Sequence, residues 1–197
     1  MYKDAELPQL NIITFGGFDI KAEGQSLLDD SGRSYKILEL LKYFVTFRGK
    51  RLLPETIIEN LQPDNEYQDP KNVLRTQIFR LRKALKMLAP GKDTSKYFNI
   101  IFSHGYYMFE LGNLSVLDAD EFEKLLSDAN QIKDIQQDDA IDFYKKAISL
   151  YAGQYLAECS ASVWTVHYMN MDRRIVFVGL IHILTPPFLH LLMICFT

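Results

Sequence analysis

One short segment concentrates the positive charge of this chain. Residues Lys71 to Met87 include six Lys or Arg and no Asp or Glu, whereas the whole chain of 197 residues has a formal net charge of −3. On a helix of 3.6 residues per turn, the apolar residues of the segment fall on one side: Leu74, Ile78, Leu81 and Leu85. The rest of such a helix presents an acid-free cationic surface, which has the electrostatics for contact with the phosphates and base edges of DNA.

The residues around and opposite the apolar stripe are of types that contact nucleic acids. Arg and Lys bind phosphates or guanine, Asn and Thr hydrogen-bond to base edges or phosphates, and an aromatic ring can contact the methyl group of thymine. The candidates on this segment are Asn72, Arg75, Thr76, Phe79, Arg80, Arg82, Lys83 and Lys86. A solvated surface is the alternative for the cations, but a solvated helix face usually mixes charges of both signs, so we favour DNA contact.

Three candidates keep two interpretations each. Phe79 points away from the apolar stripe, so it either contacts a thymine methyl group or packs against the wing or a partner protomer. Arg82 lies nearer the edge of the stripe, which suits a phosphate contact or an internal ion pair. His104 lies at the tip of a predicted hairpin, where it either touches a phosphate or is exposed to solvent.

Strands are predicted on both sides of the helical region that contains the cationic segment. Residues 10–20 are rich in β-forming types and predict a strand, with a bulge or turn at Gly16-Gly17; a short second strand is predicted at 25–28. Residues 97–103 and 106–111 are two more β-rich runs. Because only His104-Gly105 separates them, we predict a β-hairpin with a glycine at its tip.

Three helices are predicted between these strands from apolar spacing and from capping residues. Ser34 can cap a first helix over residues 36–48, which Gly49 ends. Pro54 suits the first turn of a short helix over 54–61. Asp69-Pro70 is a cap followed by a first-turn proline, so it opens the cationic helix, and Pro90-Gly91 closes the region.

From residue 117 onward the sequence is helical and acidic. Residues 118–146 hold nine Asp or Glu against four Lys. Helices are predicted over 118–132 and 138–151, where Ala140 and Ala147 allow close helix packing and Gly153 ends the second helix. Two antiparallel helices of this length are the unit of a helical repeat. A third helix is predicted over residues 164–184, and the boundary between the two halves falls at 113–117.

The sequence gives no pattern for catalysis or for metal binding. No Ser-His-Asp set, paired carboxylates or phosphate-binding glycine loop is present, and His167, His182 and His190 lie on different elements without acidic or Cys partners. Cys159 and Cys195 lack the spacing of metal ligands or of a disulfide framework, which fits a reducing compartment. We therefore expect no enzyme activity, no cofactor and no metal, and a cytoplasmic location, since the first ten residues lack a signal-peptide core.

One apolar segment bears on the location. Residues 175–196 carry no Asp, Glu, Lys or Arg and are long enough to span a bilayer. Pro186-Pro187 in the middle of the segment disfavours a spanning helix. We expect the membrane not to be a partner and interpret residues 185–197 as an apolar tail that is packed on a neighbour, atypical or truncated.

The order of these elements, together with two motifs, resembles a known family. The run Gln77 to Leu85 is similar to the recognition-helix signature h-I-x-R-L-R-x-x-L of OmpR/PhoB-type winged helix-turn-helix domains, and residues 104–107 (HGYY) are similar to their wing. The strand around Phe15-Gly16 resembles the opening of this domain when it starts a chain. Residues 118–122 (DADEF), 140–156 and Trp164 resemble the bacterial transcriptional activator domain of antibiotic-regulatory (SARP) proteins.

The resemblance implies which residues contact DNA and how. The third helix would lie in the major groove, and the hairpin wing would reach the adjacent minor groove or the backbone. The positions that touch bases or phosphates in the family are occupied here by Asn72, Thr76, Arg80 and Arg82. Two positions depart from the family: Phe79 replaces a small or basic residue, and Tyr107 replaces a frequent Arg. Partners implied are double-stranded DNA, RNA polymerase and a second protomer on direct repeats.

The expected architecture is therefore an α+β winged helix-turn-helix at residues 8–112, followed by an all-α TPR-like activator domain at 117–184. The expected function is sequence-specific binding of DNA by a transcriptional regulator, acting as an activator. Two alternatives remain. One is a helical protein-interaction module with a degenerate winged helix, and the other is a membrane-tethered regulator anchored by residues 175–196.

Overall fold

The chain folds as two compact units, seen here in a computed structural model that describes residues 7–28, 35–62, 67–89, 93–160 and 162–165. Of these residues, those up to 12 and those from 18 to 116 belong to the first unit, and those from 13 to 17 and from 117 onward belong to the second. The fold is mixed α/β, because a strand-rich N-terminal region precedes the helices.

The strands and helices follow the predicted order. The strands are β1 (Leu10–Ile13), β2 (Asp19–Ala22), β3 (Gln25–Ser26), β4 (Phe98–Ser103), β5 (Tyr106–Leu111) and β6 (Ser115–Leu117). The helices are α1 (Tyr35–Thr46), α2 (Pro54–Leu61), α3 (Pro70–Leu88), α4 (Asp118–Ile132) and α5 (Gln137–Leu150). One sheet has the strand order β3-β2-β1-β6, and β4 and β5 form a second sheet.

The N-terminal strand differs from its prediction. The prediction of a single strand over residues 10–20 was wrong, since β1 ends at Ile13 and β2 begins at Asp19. The predicted turn at Gly16-Gly17 is confirmed: the two residues have φ angles of 79° and 153°, a region that favours glycine. β6 had no prediction, because a three-residue strand carries too little periodicity to be recognised.

The predicted start of α3 is confirmed. The Asp69 carboxylate accepts a hydrogen bond of 3.0 Å from the backbone N–H of Asn72, and Pro70 is the first helical residue. Asp69 thereby satisfies one of the N–H groups that a helix leaves unpaired at its beginning, and proline there gives up no internal bond. The predicted cap of α1 at Ser34 and the predicted stop at Pro90-Gly91 lie outside the described residues.

The hairpin of β4 and β5 is held against α1. Its register pairs Phe98 with Leu111 and Ser103 with Tyr106, which leaves a two-residue turn at residues 104–105. Phe109 in β5 stacks between two rings, with centroid distances of 5.9 Å to Phe44 of α1 and 6.3 Å to Phe98. These three rings are buried, so the hairpin is part of the core of the first unit.

A third segment extends the hairpin. Leu52, which precedes α2, exchanges two backbone hydrogen bonds of 2.8 Å with Tyr107 of β5. Gly49, with a φ of 72°, ends the α1 region, and its N–H donates to the carbonyl of Phe109. The loop between α1 and α2 is therefore fixed along β5.

The second unit is built on the packing of α4 against α5. The small residues Ala140 and Ala147 of α5 are buried, as the sequence predicted, and Ala129 of α4 is buried as well. The hydroxyl of Tyr144 donates a hydrogen bond of 3.0 Å to the side-chain carbonyl of Asn130. Of the predicted third helix, only a 3-10 turn at Val163–Thr165 is described; residues 166–184 lie outside the described residues.

The segment of residues 13–17 belongs to the helical unit, which the sequence did not predict. The carboxylate of Asp118 accepts hydrogen bonds from the backbone N–H groups of Thr14 (2.7 Å) and Phe15 (2.9 Å) and from the Thr14 hydroxyl (2.5 Å). The ring of Phe15 packs against those of Phe122 and Tyr151, with centroids 5.1 and 5.2 Å away. We call this group of residues, Thr14, Phe15 and Asp118, the Asp118 clamp.

Candidate nucleic-acid interface

The helix α3 separates its buried and exposed residues as the sequence predicted. The stripe of Leu74, Ile78, Leu81 and Leu85 is buried, with at most 2% of any of these residues exposed. The remaining candidates are all exposed, and we call them the cationic face: Asn72, Arg75, Thr76, Phe79, Arg80, Arg82, Lys83 and Lys86. Gln77 and Leu88 are also buried, and they widen the stripe beyond its predicted width.

The charge of the cationic face is nearly unopposed. Within the described part of the chain, Arg75, Arg80, Lys83 and Lys86 form no ion pair with any carboxylate. Lys71, beside the face, does have an acidic partner: its ammonium group lies 2.5 Å from the Glu55 carboxylate of α2. That hydrogen bond is the main cause of the lowered pKa of Glu55. Four cations thus remain available to an anionic partner.

Arg82 has a different environment from the other cations. Its guanidinium donates a hydrogen bond of 2.9 Å to the backbone carbonyl of Ile100 in β4. Of the two interpretations predicted for this residue, an internal ion pair is not formed within the described residues, and the phosphate contact stays a prediction. Arg82 links α3 to the hairpin through this hydrogen bond.

The two polar residues at the start of the face differ in their free hydrogen-bonding groups. The hydroxyl of Thr76 donates to the backbone carbonyl of Asn72, 2.9 Å away, so its proton is already used and its oxygen remains an acceptor. The side-chain amide of Asn72 is exposed and has no hydrogen-bond partner among the described residues. Asn72 can therefore offer both a donor and an acceptor to a partner.

Phe79 is the one aromatic residue on the cationic face. It is 68% exposed, and no ring or cation contact to it occurs among the described residues. Among the described residues Phe79 stacks on no ring of the hairpin, and its contact with a thymine methyl group stays a prediction. The ring is available to a partner.

The tip of the hairpin is a tight turn with an exposed histidine. His104 and Gly105 both have positive φ angles, 51° and 83°, as a type I′ turn requires. The ring nitrogen Nδ1 of His104 lies 2.8 Å from the Ser103 hydroxyl. The imidazole is exposed, so its other nitrogen can reach an outside partner.

A basic residue that the sequence analysis missed lies beside this tip. Arg51 lines a surface cavity of about 280 Å³ together with His104 and residues of the outer hairpin face, Ile101, Ser103, Tyr106 and Met108. Tyr107, where the resemblance led us to expect an arginine, is buried and pairs with Leu52. The pairing of Leu52 with β5 carries Arg51 to the hairpin. Local sequence patterns cannot show such a pairing between distant segments.

The described residues contain no arrangement for metal binding or membrane crossing. No group of three or more His, Cys, Asp or Glu in this part of the chain could hold a metal ion. No helix within the described ranges is long and apolar enough to cross a membrane. The apolar segment 175–196, His167, His182, His190 and Cys195 lie outside the described residues, whereas Cys159 is described and buried.

Comparison with known proteins shows a relationship of fold. No family model matches the chain, and no curated protein matches it in sequence. Its fold is similar to that of EmbR from Mycobacterium tuberculosis, solved in complex with a low-affinity phosphopeptide, with a TM-score of 0.72 and 14% sequence identity. The match covers 87% of this chain but 44% of EmbR, so the chain spans less than half of that protein.

Proposed function

We propose that the chain is a sequence-specific DNA-binding transcriptional regulator. In this proposal, residues 8–112 form an OmpR/PhoB-type winged helix-turn-helix, and residues 117–184 form a TPR-like bacterial transcriptional activator domain. Helix α3 enters the major groove, while the β4–β5 hairpin contacts the adjacent minor groove or the backbone. The activity is binding alone, with no bond made or broken, so neither a cofactor nor a metal takes part.

The observation that carries the proposal is the exposed, acid-free cationic face of α3. Four cations without a carboxylate partner repel one another, which costs stability in the free protein. The face therefore suits a ligand that supplies many negative charges along a line, and B-DNA carries one every 1.7 Å or so of its axis. The length of the face, from Asn72 to Lys86, is about 21 Å on an α-helix.

The second support is the position of basic groups at the hairpin. Arg51 and His104 share one surface cavity at the tip, and both are exposed. A wing normally uses a basic residue for the minor groove or the backbone, and Arg51 supplies that charge although Tyr107 does not. The similarity to EmbR supports the fold on which the proposal rests.

Further partners follow from the same proposal. As an activator, the protein would act in the cytoplasm and dock RNA polymerase near a promoter, and two protomers would bind direct repeats. In this proposal, helices α4 and α5 form the surface for protein contacts, because their acidic residues would be repelled by DNA.

Binding of duplex DNA at increasing salt concentration tests the proposal. We expect log K to fall linearly with log of salt concentration, with a slope of about −0.9 for each phosphate contact. The combined variant Arg75→Gln, Arg80→Gln, Lys83→Gln and Lys86→Gln should make this slope shallower by about 3 to 4. The matched control neutralises the four lysines of the second unit: Lys124, Lys133, Lys145 and Lys146.

Two outcomes would overturn the proposal. A wild-type affinity that does not change with salt would favour the alternative, a protein-interaction module with a degenerate winged helix. An equal loss of slope in the α3 variant and in the control would show that DNA is held by overall charge and not by the cationic face.

A further inference from the structure

An apolar ring lies at the centre of the cationic face. Phe79 has Arg75 four residues before it and Lys83 four residues after it, and Asn72 and Lys86 lie seven residues away on each side. Residues at these spacings lie within about 40° of Phe79 around the helix. Phe79 is therefore surrounded along the helix by polar and charged side chains, while its own ring is 68% exposed.

The ring is mostly exposed and stacks on no other ring within the described part of the chain. No ring–ring or cation–ring contact to Phe79 is present among the described residues, whereas the other phenylalanines of the hairpin and of α1 stack on neighbours. A phenyl ring that is exposed to water has an unfavourable hydration free energy. The ring therefore contributes a favourable free energy only when a partner covers it.

We propose that Phe79 reads the 5-methyl group of a thymine in the major groove. This inference rests on the proposed function, in which α3 lies in that groove. The thymine methyl is the apolar group that base pairs present there; the other groups on the base edges are hydrogen-bond donors or acceptors. A phenyl ring cannot hydrogen-bond to those groups, so it gains only where it meets the methyl.

The residues on either side of Phe79 set the distance between its ring and the bases. Arg75 and Lys83 flank the ring by one turn on each side and can bind phosphates, which presses the middle of the helix toward the bases. Asn72 adds a free amide on the same row for a polar base edge. The predicted operator therefore contains a thymine whose methyl faces the middle of α3, next to a base read by hydrogen bonds.

Replacement of thymine by deoxyuridine tests the inference without changing the protein, because deoxyuridine lacks only the methyl group. The probes are duplexes that the wild-type chain selects from a randomised pool, with each thymine replaced in turn. At one thymine per half-site we expect the wild-type affinity to drop about fourfold, the effect of one buried methyl group. Phe79→Ala should bind thymine and deoxyuridine duplexes equally, and Phe79→Leu should keep part of the difference.

The matched control is Met87→Ala. Met87 is also an exposed apolar residue of α3, 81% exposed, but it lies eight residues from Phe79, about 12 Å along the helix. We expect this variant to discriminate against deoxyuridine as well as the wild type does. If Met87→Ala loses the discrimination and Phe79→Ala keeps it, the assignment to Phe79 is overturned.

The remaining outcomes separate this inference from the proposed function. If the wild type selects salt-dependent duplexes but no thymine position responds to deoxyuridine, the reading by Phe79 is wrong while DNA binding stands. If the wild type selects no duplex at all, DNA binding itself fails, and the inference fails with it.

Discussion

The cationic face of α3 and the Asp118 clamp differ in whether their charges have partners within the protein. On α3, four cations point outward and have no carboxylate partner among the described residues. In the second unit, the single carboxylate of Asp118 accepts three hydrogen bonds from Thr14 and Phe15 of its own chain. The first arrangement leaves its charges available to a partner, and the second uses its charge to hold the fold together.

The difference separates residues that serve binding from residues that serve folding. Charges paired within the protein contribute to its stability, whereas like charges left exposed on one helix face contribute nothing or reduce it. Substitutions in the clamp should therefore lower stability, and substitutions on the cationic face should change DNA affinity and its salt dependence. Trp164, the single tryptophan of the chain, is buried in the second unit and reports the unfolding of that unit.

The largest effect is expected for Asp118→Ala. The substitution leaves the backbone N–H groups of Thr14 and Phe15 without their acceptor, so the free energy of unfolding should fall by about 3 kcal/mol. Urea unfolding followed by Trp164 fluorescence measures this loss. Asp142→Ala is the control, because Asp142 forms only an exposed ion pair of 3.7 Å with Lys145 and should cost less than about 0.5 kcal/mol. Equal losses in both variants would remove the special role of the clamp.

A smaller loss is expected for Gly16→Ala. Gly16 has a φ of 79°, and an added Cβ would lie 2.7 Å from the carbonyl oxygen of Ala152. We expect a loss of about 2 to 3 kcal/mol, from backbone strain together with the clash. Gly24→Ala isolates the strain, since Gly24 has a φ of 81° and nothing within 4 Å of an added Cβ, and it should cost about 1 kcal/mol. A cost for Gly24→Ala as large as that for Gly16→Ala would exclude the clash.

Arg82 has features both of the residues that serve binding and of those that serve folding, so it tests the difference between them. It belongs to the cationic face by exposure, but it hydrogen-bonds to the carbonyl of Ile100 as a structural residue would. Arg82→Gln should lower the free energy of unfolding by about 1 kcal/mol. Lys83→Gln, at the neighbouring position, should leave stability unchanged and make the salt slope shallower by about 0.9. The reverse pattern would place Arg82 among the DNA contacts and Lys83 among the structural residues.

The smallest effect is expected at Glu39 in α1. Burial raises the pKa of this carboxyl group, against the opposing influence of Lys42 and Lys36. The folded protein then holds the proton more tightly than the unfolded chain, so this contribution to stability is complete at low pH and is lost as pH rises through the raised pKa. Glu39→Gln should raise the free energy of unfolding by less than about 0.5 kcal/mol at neutral pH, since the group is partly exposed. The gain should vanish below pH 4.5, the ordinary pKa.

Local patterns predicted most of the elements but few of the contacts between them. The Asp69 cap, the buried stripe of α3 and the two-residue hairpin turn depend on residues close in sequence, and all three are observed. In the Asp118 clamp, Asp118 bonds to Thr14 and Phe15, which precede it by 104 and 103 positions in the sequence. No spacing rule predicts such a pairing. The link from Arg82 to Ile100 and the approach of Arg51 to the hairpin tip have the same origin.

Lysine footprinting on the intact chain tests the central claim most directly. Acetylation in the presence and absence of a selected duplex, read by mass spectrometry, compares Lys83 and Lys86 of the cationic face with Lys124 and Lys145 of the second unit. We predict that DNA protects Lys83 and Lys86 and leaves Lys124 and Lys145 as reactive as in the free protein. A duplex that binds without protecting Lys83 and Lys86 would contradict the placement of α3 on DNA.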